Sequence, residues 1–153
     1  MIDSNTIVMM LNSLESTESK FKSTLDELIK LGITIANNSK EIHEDLKLYE
    51  DTIYHMYIYD IDYNIWIKIV EGFLTYNNSY YEANSEQINV IHLILTKKIL
   101  RKIMTRRIQV TDAYMRGLIK IRGSDEYMSG LIKIKNILKS FFTNMNYLTE
   151  DID

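Results

Sequence analysis

The feature that most constrains this chain is the run Ala113-Tyr114-Met115-Arg116-Gly117-Leu118-Ile119-Lys120-Ile121-Arg122-Gly123, together with the apolar-striped segment after it. A helix over 111–116 is expected to close on Gly117 as its left-handed C-terminal residue. Leu118 to Arg122 then reads as a short strand, and a helix follows Gly123 at once. Ser124 caps that helix, and Asp125 and Glu126 in its first turn suit the helix dipole. Tyr127, Leu131, Ile134, Leu138 and Phe141 recur at helical spacing, while Lys133, Lys135 and Lys139 crowd the other side. Two tight glycine junctions set how this last helix lies against the strand, so a groove between them is predicted.

The segment 4–50 reads as helical. Ile7, Met10, Leu11 and Leu14 form one apolar stripe and Phe21, Leu25 and Leu28 another. The polar stretch Ser16–Lys20 between them either breaks the helix or faces water. Gly32 and then Asn37-Asn38-Ser39 mark a boundary, after which a helix capped by Asn38 or Ser39 would bury Ile42, Leu46 and Tyr49. At Thr52 the apolar period drops from about 3.6 to 2. Strands are predicted over 53–60 and 64–70, with a turn at Ile61-Asp62-Tyr63. Glu71-Gly72 is a two-residue hairpin turn leading into a strand over 73–78. A polar loop over 79–87 precedes a fourth strand, 88–95. Thr96 caps a helix over 97–107 that buries Ile99, Leu100, Ile103 and Met104. The fold class is therefore α/β (α+β): a five-stranded, mostly antiparallel sheet with helices covering one face, plus an extra N-terminal helix. Residues 1–37 form the helical extension and first helix, 38–143 the main body and 144–153 a frayed acidic tail, all within a single domain.

Several function classes lack support. A chain of 153 residues with no cysteine has neither disulfides nor thiolate metal sites. His43, His55 and His92 make no ligand spacing, and no HExxH occurs. The five glycines build no phosphate-cradling loop. No catalytic constellation, cofactor or metal is implied. A net charge of −3 offers no global attraction to nucleic acid. No apolar run reaches the length of a membrane span and the N-terminus lacks a secretory n-region, so a cytoplasmic protein is expected.

From Asp45 to Phe142 the order and spacing of these elements resemble the sterol carrier protein type two family. That family's Ala-aromatic-aromatic/Met-x-Gly-Lys-aliphatic-Lys-aliphatic-x-Gly signature matches Ala113, Tyr114, Met115, Gly117, Ile119, Lys120, Ile121 and Gly123. Leu118 stands where Lys is frequent, Val110 where Pro is usual, and Arg106 where Gly is usual. Gly130 replaces a Lys, which weakens the closing helix by up to about 1 kcal/mol relative to Ala. The first twenty residues have no counterpart. The resemblance implies no catalytic residue. It implies a lipid tunnel between the sheet and the helix from Ser124 to Phe142.

On that resemblance the expected function is non-catalytic binding or carriage of a fatty acyl chain, sterol or isoprenoid. Met104, Tyr114, Met115, Met128, Leu131, Ile134 and Leu138 are the candidate lipid-binding residues, the methionines adapting to different shapes. Read from periodicity alone, the inward residues Tyr54, Met56, Ile58, Ile65, Ile67, Ile69, Ile91, Leu93, Ile119 and Ile121 would instead fill a dry core. The chain would then be an interaction module acting through its N-terminal helix or basic face. Lys97, Lys98, Arg101, Lys102, Arg106 and Arg107 are either a solvated surface or a docking face for anionic membrane, with Lys98, Arg101 and Lys102 as its centre. The N-terminal helix could pack on the domain, cover the tunnel mouth or pair with another subunit. The oligomeric state is left open.

Overall fold

A computed structural model describes residues 4–14, 17–78 and 89–123. The expected loop over 79–87 and the expected closing helix after Ser124 lie outside the described residues. The elements run α1 (Ser4–Ser13), α2 (Glu18–Asn38), α3 (Lys40–Lys47), β1 (Thr52–Ile58), β2 (Tyr63–Val70), β3 (Phe73–Asn77), β4 (Asn89–Leu95), α4 (Lys97–Met104), α5 (Val110–Met115) and β5 (Lys120–Gly123).

The helix breaks follow local chemistry. The Thr17 hydroxyl accepts from the Lys20 amide at 3.4 Å and starts α2. The Ser39 hydroxyl accepts from the Ile42 amide at 3.3 Å and starts α3, so Ser39 rather than Asn38 is the cap. Gly32 marks no boundary: α2 runs through it to Asn38, and the glycine is buried where the helix packs. Tyr49 lies beyond the end of α3 and is half-buried, packed against the cluster that holds Ile42 and Leu46.

The sheet has five strands in the order β3-β2-β1-β4-β5. All neighbours are antiparallel except β1 and β4, which pair in parallel from Thr52↔Asn89 to Ile58↔Leu95. The β2–β3 hairpin closes in two residues, because Glu71 and Gly72 both adopt positive φ (50° and 83°) and so match the twist of the strands. Asn37 clamps the returning strand to α2, its amide donating to the Leu74 carbonyl and its oxygen accepting from the Leu74 amide, both at 2.8 Å. Asp60 accepts from the Lys97 amide at 2.9 Å and pins the start of α4 to the β1–β2 turn.

Helices cover one face of the sheet in two buried clusters. The larger joins Leu11, Leu14, Phe21, Leu25 and Leu28 to Ile58, Ile65, Leu95 and the apolar sides of α4 and α5. The N-terminal helix therefore packs on the body through Leu11 and Leu14, while Val8 and Met9 face solvent. The smaller cluster holds Ala36, Ile42, Leu46, Ile69 and Leu74. Tyr54 and Ile67, only half-buried, touch both.

Candidate functional site

The strand pairing carries an apolar strip across the helix-facing side of the sheet. One rung runs Tyr76–Ile67–Tyr54–Ile91–Gly123 and the next Ile65–Met56–Leu93–Ile121. The ends of these strands are sealed, with Ile58 and Leu95 at 0% exposure and Ile65 at 1%. In the middle, Tyr54, Met56, Ile67, Leu93 and Tyr76 stay half-buried although they face the helices. The helical layer thus closes tightly at both ends of the sheet, with Thr52, Ile69 and Leu74 buried at the other, and less tightly over Tyr54, Met56, Ile67 and Leu93 between them. Burial drives the Tyr54 phenol well above its ordinary range, as an apolar environment would.

At the β5 edge this strip meets an open groove of about 450 Å³ lined by Tyr114, Met115, Gly117, Ile119, Lys120, Ile121 and Arg122. Its geometry comes from the glycine-closed end of α5. The Leu118 amide donates to the Ala113 carbonyl at 2.8 Å and the Gly117 amide to the Tyr114 carbonyl at 3.0 Å, the paired closure that a left-handed glycine (φ 72°) permits. That closure holds Leu118 and Ile119 in the turn, so β5 starts at Lys120, two residues later than expected. Ile121 joins groove to strip, because it lines the first and pairs with Leu93 in the second.

The candidate lipid-binding residues fall in different places. Tyr114 and Met115 line the groove, and Met115 is 76% exposed. Met104 does not line it: the side chain is 8% exposed within the larger core cluster, on the buried side of α4. Met128, Leu131, Ile134 and Leu138 lie outside the described residues. On α4, Lys98 is exposed while Arg101 and Lys102 are half-buried. The Lys97 ammonium sits 5.3 Å from the centre of the Phe21 ring. Ile99, Ile103 and Ile108, which flank these cations in sequence, are all buried.

The opposite side of the sheet carries a polar row that histidine spacing in the sequence did not reveal. His55 and His92 are in register on the parallel pair β1–β4, with their Nδ1 atoms 2.8 Å apart. The His55 Nε2 lies 2.7 Å from the Asn64 side-chain oxygen, which only accepts. His55 therefore carries its proton on Nε2, and its Nδ1 accepts from the His92 Nδ1–H. Trp66 stacks on His55 with ring centres 3.9 Å apart. Burial lowers both imidazole pKa values, partly offset at His55 by the bond to Asn64. The signal that could have found this pair was strand register, which needs the β1–β4 crossover to be known. Among the described residues no group of three metal-ligating side chains forms, and no helix is long and apolar enough to cross a membrane.

No family model matches the chain. No curated protein matches its sequence. Solved structures do match. A ubiquinone synthesis protein described as UbiJ-SCP2 superposes with a TM-score of 0.58 at 12% identity, covering 79% of this chain and 98% of its own. Sterol carrier protein 2 from Yarrowia lipolytica, in its apo form, gives 0.55 at 13% identity, covering 81% of this chain and 94% of its own. A double mutant of the sec-alkyl sulfatase PisA1 gives 0.51 at 15% identity over 80% of this chain, which spans only 17% of that enzyme. At such identities the likeness is one of architecture, and the architecture of this chain is that of sterol carrier protein type two.

Proposed function

We propose that this protein binds and carries a hydrophobic ligand, a fatty acyl chain, sterol or isoprenoid, without catalysing a reaction on it. The observation that carries the reading is the half-buried apolar strip Tyr54–Met56–Ile67–Leu93, which runs through Ile121 into the groove beside α5. A protein interior normally packs like an organic crystal. Apolar side chains left half-covered under a helical layer are what a displaceable hydrocarbon would complete. Each methylene buried there contributes about 0.8 kcal/mol, so a long chain needs few polar contacts. The shared fold with a sterol carrier protein points the same way.

In this reading Tyr114 and Met115 stand at the entrance and Met104 backs the wall from the core. Met128, Leu131, Ile134 and Leu138, outside the described residues, would supply the opposing wall, and entry of cargo would require the segment 124–142, or the segment before it, to move. Lys98, Arg101 and Lys102 would dock the carrier on anionic membrane, each charge that reaches the surface adding about 1 kcal/mol. Pelleting with anionic liposomes should fall sharply in the triple Glu variant of these three, and unchanged pelleting removes the docking step.

Titration with a fluorescent fatty acid tests the carriage itself. Saturable, displaceable binding near one per chain is expected, with Leu93→Trp weakening it at least tenfold by filling the strip. Absence of binding across chain lengths, with Leu93→Trp folded and otherwise inert, would leave an interaction module with a filled core.

A further inference from the structure

The face of the sheet turned away from the described helices holds His55 and His92 side by side on the parallel strands β1 and β4. The two rings stand nearly perpendicular, at 87°, with their Nδ1 atoms 2.8 Å apart. Both side chains are half-buried, so a small ion and its water can reach them. His55 is fixed on its other sides: Trp66 stacks on the ring, and the Asn64 oxygen accepts from the Nε2–H at 2.7 Å. That bond places the lone pair of His55 on Nδ1, toward His92. Outer hydrogen bonds of this kind are how proteins orient a ligating histidine.

The separation of the two nitrogens selects the ion. With metal–nitrogen bonds of about 2.0–2.1 Å, adjacent corners of a square lie about 2.9 Å apart, and corners of a tetrahedron about 3.3 Å. The pair matches the square. Square-planar and tetragonal nitrogen sites suit Cu(II) or Ni(II), and copper binds the more tightly of the two. We propose that His55 and His92 form a two-nitrogen Cu(II) site that clamps β1 to β4, with water in the remaining positions. The rings turn so that both Nδ1 lone pairs meet at the metal, which replaces the shared proton. That proton moves from His92 Nδ1 to Nε2, and both imidazoles stay neutral. Arg122 stands opposite His92 on β5, but its exposed side chain can carry the guanidinium into water, away from the ion. The site is independent of carriage, because it uses the other face of the sheet.

Trp66, the only tryptophan in the chain, is a built-in reporter, with its ring centre 3.9 Å from that of His55. Titrating the full chain with copper sulfate in a non-coordinating buffer should quench its fluorescence saturably at a single ion per chain, reversibly with EDTA. Zinc should need about tenfold higher concentration or more to compete. His92→Gln and His55→Gln should each weaken the quenching by about tenfold or more, with circular dichroism confirming the fold, while His43→Gln leaves it unchanged. Electron paramagnetic resonance of the copper-loaded wild-type protein should show a tetragonal spectrum with nitrogen coupling. No saturable quenching in the wild-type protein, or quenching that persists in the folded His92→Gln variant, overturns the site. A spectrum without nitrogen coupling overturns it whichever variants fold. Zinc that displaces copper at equal concentration overturns the square geometry on which the choice of ion rests.

Discussion

The two signature glycines should respond very differently to the same substitution. Gly117 has φ 72°, yet an added Cβ would meet nothing within 4 Å. Gly117→Ala therefore incurs only the backbone strain of a left-handed alanine, about 1 kcal/mol. Gly123 has φ 153°, and an added Cβ would lie 2.3 Å from the Val90 carbonyl oxygen and 3.1 Å from the Ile91 Cα. Both of those atoms are backbone of the neighbouring strand β4, so neither can swing aside. Strain at such a φ and forced overpacking each cost about 1–3 kcal/mol. Relief comes only by opening the Ile91↔Gly123 pair at the sheet edge, which limits the total. We expect about 3 kcal/mol for Gly123→Ala, a large share of a typical stability of about 5–15 kcal/mol. In urea, with a slope near 2 kcal/mol/M, the midpoint should drop by about 1.5 M for Gly123→Ala and about 0.5 M for Gly117→Ala. Equal midpoints, or the reverse order, would refute the register assigned to β5.

Other positions offer independent checks. Arg106 holds φ 57°, so Arg106→Gly should stabilise the fold by about 1 kcal/mol in urea melts. The Tyr76 hydroxyl donates to Asp26 at 2.5 Å. Burial alone would raise the Asp26 carboxyl pKa, but hydrogen bonds from Tyr76 and Lys30 hold it below its usual range. Tyr76→Phe should lower stability by about 1.5–3 kcal/mol, as expected for a hydrogen bond to a charged acceptor. The pH dependence follows from His55 and His92, whose pKa values are lowered in the folded state. The unfolded chain then binds more protons, so stability is full above the free imidazole value near 6.5 and falls as pH drops through it. A urea midpoint that declines from pH 7.5 to 5.5, with a shallower decline in His92→Gln, is the expected pattern.

Much of the architecture was legible because its signals are local. Thr96, Glu71-Gly72 and Gly117 each act through neighbours in sequence: a hydroxyl on the Ile99 amide at 3.2 Å, two positive-φ residues, and a glycine-closed helix end. Gly32 misled, since a glycine inside a helix can serve close packing rather than termination. Met104 stands on the buried side of α4, as its spacing with Ile99, Leu100 and Ile103 predicts, and lies in the core rather than along the groove. The His55–His92 contact depends on the parallel pairing of β1 with β4. Those strands lie far apart in the chain, and alternation within each strand does not say which residue of the other will stand beside it.

Native mass spectrometry of the purified protein addresses the central claim most directly. Gentle ionisation should yield a population heavier than the bare chain by one lipid-sized mass, lost on mild activation and restored by adding a long-chain amphiphile. A protein that appears only at its own mass, and stays there when challenged with fatty acids, sterols and isoprenoids, would contradict the account.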